Sequence, residues 1–321
     1  MCARPFVGWR LDRDRRVVIH ILGSLVFVTA SLAYIAVGSI GALLIVRAYH
    51  GLGIALSATA LPSLADHLAL PGRRGEAIAL QATSQVVAAA AMPAIGSYIA
   101  AIWGTTALFA VCAAAGALGA AVALAIRERP SPREVGPPRP FFEKDAVPSG
   151  LVMVGLQISY GTIVSFVPIQ AARVGLANPG WFFAGLHLAM LVGQVIGGRA
   201  SDRHGRAAVL VPALLQCAVG VALIPLMPGT LLLLPAVCIG IGMGAAIPTL
   251  FAVAVDRSRP ERSGAALGTL GMLLELGIGG GSIAAGIVGQ AMGLDAAFLI
   301  AAAIAVVAAM GALALRGTST R

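Results

Sequence analysis

Apolar residues run along this chain in long blocks separated by short polar breaks. Ten blocks stand out, at 17–37, 40–63, 78–101, 105–126, 149–170, 180–198, 208–227, 230–254, 264–288 and 293–315. A bilayer core about 30 Å thick needs roughly 20 apolar helical residues to cross it. Backbone polar groups find no water in hydrocarbon, so blocks of this length must be helices that satisfy their own hydrogen bonds. The pattern therefore predicts an all-α polytopic membrane protein with about 10 transmembrane helices. Some breaks are as short as Val37-Gly38-Ser39 and Pro228-Gly229-Thr230, which read as tight turns. Small residues at Gly240 and Gly244, and at Gly277 and Gly281, suit close helix–helix approach within lipid.

Composition agrees with the pattern. Hydrophobic residues are 59% of the chain and charged residues 11%, against about a quarter charged in an average soluble domain. A net charge of +9 would suggest nucleic acid in a soluble protein. Here its distribution excludes that partner, because the basic residues cluster between apolar blocks. Alternate loops hold five (4–16), two (73–74), five (127–144), three (199–206), three (257–262) and two (316–321) of the 22 Lys and Arg residues. By the positive-inside rule those loops and both chain ends face the cytoplasm of a multi-pass inner-membrane protein. Only Arg173 falls in an opposite loop, and Arg47 lies inside a block. Trp103 and Trp181-Phe182-Phe183 fall near span ends and read as interfacial aromatic anchors. The cysteines and histidines show no metal spacing, and the opening residues do not form a signal peptide.

The chain also repeats itself at a spacing of 189–190 residues. Gly8-x-x-x-Asp12-Arg13-x-Arg15-Arg16 recurs as Gly198-x-x-x-Asp202-Arg203-x-Gly205-Arg206. Arg73-x-Gly75 recurs as Arg262-x-Gly264, and Gly104 with Phe109 as Gly293 with Phe298. A charged, proline-rich segment joins the copies and is expected to be extended and solvated. The organisation read from this is an N-terminal half over 1–126, a cytoplasmic linker over 127–148 and a C-terminal half over 149–321. Two spans precede the Gly198 motif, but only seven residues precede Gly8. The expected pattern is therefore six helices plus six with the first and most of the second missing, an N-terminally truncated member of its family.

These motifs resemble the major facilitator superfamily over essentially the whole length. GGRASDRHGRAAVL is similar to its cytoplasmic G-x-x-x-D-R-x-G-R-R/K motif, and RLDRDRR to the first-half copy, with Arg15 where glycine is usual. LLIVRAYHGLGIA resembles the fourth-helix motif, with His50 where glutamine is common. AAAAMPAIGS keeps the Pro93-x-x-Gly96 of the fifth-helix motif of proton-driven exporters, where a helix kink is expected, but carries Met92 in place of a glycine. The resemblance implies a substrate site between the halves near the bilayer midplane and transport by rocking of one half against the other. It makes Gly8, Asp12, Arg13, Arg16, Gly198, Asp202, Arg203, Gly205 and Arg206 candidates for conformational gating.

Ionisable residues inside spans are functional candidates, because a charge at the bilayer centre costs at least ~2.5–3.5 kcal/mol on insertion scales. Arg47 lies about seven residues into its block, and Glu275 about half-way along its own. A permanently charged arginine there suits an anionic group, and a carboxyl group at that depth suits proton uptake and release. His50, three residues after Arg47, and His187 are polar within spans, as are Gln157 and Tyr160. These six are the substrate or proton-coupling candidates. There is no G-x-x-x-x-G-K phosphate loop for ATP and no enzymatic constellation. The expectation is thus a non-enzymatic monomer in the lipid bilayer. It would use a proton or ion gradient in place of a cofactor, with a small-molecule substrate. The first functional reading is proton-coupled efflux. The alternatives are a truncated, non-transporting membrane protein or pseudogene product, and an importer of sugar or organic acid.

Overall fold

The computed structural model of the 321-residue chain describes residues 16–70, 73–126, 128, 142–259 and 262–315. Every regular element among them is helical: α1 (Arg16–Ala36), α2 (Ile40–Leu68), α3 (Arg74–Leu124), α4 (Val147–Arg173), α5 (Gly180–His204), α6 (Arg206–Leu223), α7 (Leu233–Arg257), α8 (Ser263–Met292) and α9 (Leu294–Leu313), with short 3-10 turns at Lys144–Ala146, Ile224–Leu226 and Gly229–Leu232. All nine contain a stretch long and apolar enough to cross a membrane.

The difference between nine helices and ten expected spans has a single cause. The apolar stretch of α3, Leu80–Leu124, is 45 residues, about 68 Å of helix at 1.5 Å per residue and twice the thickness of a hydrocarbon core. It is broken at Gly104, whose φ of 80° and ψ of 170° are not helical. The two arms on either side correspond to the expected spans 78–101 and 105–126. Gly293, one repeat later, separates α8 from α9 with φ 92° and ψ 161°. The duplication seen in the sequence is therefore repeated in backbone conformation, at positions where a side chain would be strained.

The chain divides into two compact units, Met1–Gln85 with Ile95–Pro137, and Val86–Ala94 with Pro138–Arg321. In the first, α1 packs along α2, where Gly23 and Gly53 bring the two backbones close together. Its buried apolar side chains form small groups, Val17 with Leu64 and Ala123, and Ile19 with Ala60. The second has one large core containing Met153, Leu156, Phe182, Leu186, Leu210, Leu214 and Phe298. There α5 lies along α7, α4 along α8, and α9 packs against α4 and α6. Methyl groups added at Gly240 and Gly281 would be driven into the Leu186 and Ile158 carbonyls, so the small-residue spacings are helix contacts. Side chains also bond across helices: Ser159 donates to the Ala301 carbonyl at 3.0 Å and the Gln216 amide to the Cys238 carbonyl at 3.0 Å.

Large apolar side chains face outward along every long helix, among them Leu44, Ile45, Leu80, Leu118, Val195, Ile283 and Val307. Contiguous exposure of this kind would aggregate in water and is the expected outer surface in lipid. Trp103 and Trp181 belong to that surface, but Phe182 and Phe183 do not. Both phenylalanines are core residues, which corrects their reading as interfacial anchors. Successive helical residues point about 100° apart, so one end of a span can present a tryptophan outward and phenylalanines inward.

Candidate functional site

The first unit holds a pocket of about 320 Å³ lined by Phe27, Ser31, Tyr34, Leu43, Arg47, His50, Phe109 and Cys112. Helical spacing assembles it. Phe27, Ser31 and Tyr34 are one stripe of α1, Leu43, Arg47 and His50 one stripe of α2, and Phe109 and Cys112 one stripe of the second arm of α3, each at i, i+3 or i, i+4 steps. Tyr34 and Phe109 stack with ring centres 5.0 Å apart, and Phe27 meets the His50 ring edge-on at 4.8 Å. The Tyr34 hydroxyl lies 3.2 Å from His50 Nδ1. His50 Nε2 is buried with no hydrogen-bond partner among the described residues. Arg47 is exposed and makes no ion pair among them. A second cavity of about 430 Å³ in the same unit is lined by apolar side chains and His20, and carries no charge to orient a polar ligand.

In the second unit the Tyr160 hydroxyl of α4 lies 3.4 Å from His187 Nε2 of α5, and the Phe183 carbonyl lies 2.8 Å from His187 Nδ1. A proton on Nδ1 directed at that carbonyl leaves Nε2 as acceptor for the tyrosine hydroxyl. Gln157, one turn before Tyr160, is buried with its Oε1 unpartnered among the described residues. It lies against Gly277 of α8. Glu275, two residues earlier on α8, is partly buried. Tyr160 and His187 are thus brought into direct contact, with Gln157 on the neighbouring α4–α8 seam; Glu275 is not placed with them.

The gating candidates fall at helix ends. Gly8, Asp12 and Arg13 lie outside the described residues, as does the side chain of Asp202. Gly205, at φ 88°, separates α5 from α6, and Gly198 and Arg203 lie in the last turns of α5. Arg16 donates from Nε to Ser63 Oγ at 2.9 Å and pairs with Glu128 at 3.3 Å. Arg206 pairs with Asp256 at 3.1 Å and donates to Ser201 Oγ at 3.1 Å. Both arginines therefore tie together helices of their own unit. In α3 the backbone stays helical at Pro93 and Gly96, and its interruption is at Gly104.

Two carboxylates escaped the sequence reading. Glu128 accepts the backbone N–H groups of Arg16 and Val17, each at 3.1 Å, and so caps α1 from 112 residues away. Glu143, 3% exposed, pairs with Arg262 at 3.5 Å, while its backbone N–H donates to Thr269 Oγ1 of α8 at 2.9 Å. Glu128 directly follows a span end, between Arg127 and Arg129, whereas Glu143, between Phe142 and Lys144, carries no such mark.

Comparison with known proteins agrees with this architecture. The family model described as Major Facilitator Superfamily matches residues 1–176 and again 149–321. The chain is also similar to the 3-(3-hydroxy-phenyl)propionate transporter of Escherichia coli (strain K12), 28% identical over 121 residues. That stretch is 36% of this chain and 29% of the relative, so the match spans under a third of the relative's length. Duplicated backbone breaks, an apolar outer surface and family matches that cover every residue lead to one assignment: this multi-pass membrane protein belongs to the major facilitator superfamily.

Proposed function

We propose that the chain acts as a secondary transporter that moves a small organic molecule by alternating access, driven by a proton gradient. The observation that carries this reading is the confinement of polar chemistry. Within bundles whose cores are mainly apolar, Arg47 and His50 share a pocket in one unit, and Tyr160 and His187 touch in the other. Intramembrane groups of this kind are costly and mark substrate or proton paths. Glu275, an acidic residue about half-way along its span, is the proposed proton carrier. The basic loops are assigned to the cytoplasm, with Arg203 and Arg206 at the mobile face and a monomer as the working form.

Export is the first reading of direction, resting on Pro93-x-x-Gly96. Uptake of an organic acid is the second, favoured by similarity to a relative named for transport of a phenylpropionate. Vesicles carrying the chain, loaded with a pH-sensitive dye and given a pH gradient, separate the two. A compound moved by the chain shifts the dye signal, and the sign of the shift gives symport or antiport. If a broad panel of organic acids, amines and neutral amphiphiles moved no protons beyond control vesicles, proton coupling would be abandoned.

A further inference from the structure

The two sides of α5 differ sharply. Leu186, Gly193 and Gly197 turn one side onto α7, close enough that a methyl group on either glycine would meet the α7 backbone. Leu188, Val192, Val195 and Ile196 form the other, each at least 51% exposed. Successive residues turn by about 100°, which sets these four within one narrow arc and places Trp181, Arg199 and Arg203 in the same arc. Trp181 opens this outer stripe and is exposed. Arg199 lies about 27 Å further along the axis at 1.5 Å per residue, close to the roughly 30 Å of a hydrocarbon core. The stripe thus runs from an interfacial indole at one membrane surface to two guanidinium groups at the other.

Arg199 and Arg203 stand one turn apart, both exposed, and neither makes an ion pair among the described residues. Nearby arginines of the same unit are engaged: Arg206 by Asp256 and Arg262 by Glu143. We infer that the outer stripe of α5 seats one anionic phospholipid, its acyl chains along Leu188, Val192, Val195 and Ile196 and its phosphate on Arg199 and Arg203. Charge complementarity selects this occupant. A guanidinium holds a phosphate through two parallel hydrogen bonds, and the end of α5 that carries the pair is the one assigned to the cytoplasm, where anionic lipids attract arginine. An apolar helix packed on the stripe would leave both cations without a counter-charge. A soluble anion would satisfy the cations and leave the aliphatic stripe unused. The inference does not depend on the transport reading.

Native mass spectrometry of the purified full chain, delipidated in detergent, tests this with phosphatidylglycerol and phosphatidylcholine of the same acyl chains as probes. One phosphatidylglycerol should be retained at least about fivefold more tightly than phosphatidylcholine. The double variant Arg199→Gln with Arg203→Gln should lose that preference, and Ile196→Asn should weaken retention of both lipids severalfold. Arg259→Gln is the control for net charge, since Arg259 is also exposed and without an ion pair among the described residues; it should keep the preference. Equal retention of the two lipids by a chain that elutes as a single folded species would overturn the proposal. So would a preference intact in the double variant, or one lost equally in Arg259→Gln. Displacement of the lipid by excess glycerol 3-phosphate would also overturn it, by showing a site for a free anion. No gradient or solute enters the measurement, so its failure would leave the transport reading untouched.

Discussion

At the scale of single residues, the charges of this protein divide into those that hold it together and those left for chemistry. Arg16, Arg206 and Arg262 are each engaged by a carboxylate of their own unit. Glu128 and Glu143 are nearly buried at their sites, and each takes part in anchoring a helix start. Replacing Glu128 by Ala leaves two N–H groups of α1 without acceptors, an expected loss of roughly 1–2 kcal/mol, read as a lower thermal midpoint in detergent. Glu128→Gln keeps an acceptor and should lose less. Glu275→Gln tests the proposed proton role: it should reduce gradient-driven transport at least tenfold in protein that still elutes as a single folded species. The sequence made Arg47, Glu275 and the histidines visible, because ionisable residues are rare in apolar blocks. It could not reveal Glu128 or Glu143 in the same way, since an acidic residue in a charged linker looks like solvated surface until the fold shows which helix end it meets.

Helices and their breaks were more legible than partners. Block length alone set out the spans, and a repeat of Gly104 at Gly293 marked where long apolar runs had to be divided. That both glycines take a left-handed, extended conformation is a backbone fact beyond any hydropathy pattern. Gly104 has open space around its missing side chain, so Gly104→Ala isolates the backbone term, at about 1–3 kcal/mol. The matching thermal shift should appear without loss of the folded species. Packing gives the opposite contrast. Gly240→Leu forces a side chain into the Leu186 carbonyl on α5 and is expected to yield aggregated protein on size-exclusion chromatography. Gly268→Ala on α8, where nothing lies nearby, should elute as the parent does. Small-residue spacing indicated that such contacts exist but not which helices meet, because a glycine pair fits any close neighbour. Phe182 and Phe183 misled for a related reason: their place near a span end was plain, and their inward direction depended on α5 packing against the core.

For the molecule as a whole, the sequence repeat, the backbone repeat and the family match describe one architecture of two related units with polar residues set inside apolar bundles. Such a protein has a use for intramembrane charge only if those groups meet water or solute during a cycle. The most direct measurement is solute flux in proteoliposomes containing only the purified chain, under an imposed pH gradient and with organic acids, amines and neutral amphiphiles as the labelled solutes. Gradient-driven accumulation or extrusion of at least one organic solute is the expected result, abolished by a protonophore and reduced at least tenfold in Glu275→Gln. Flux equal to that of protein-free liposomes for every solute, with and without the gradient, would contradict it.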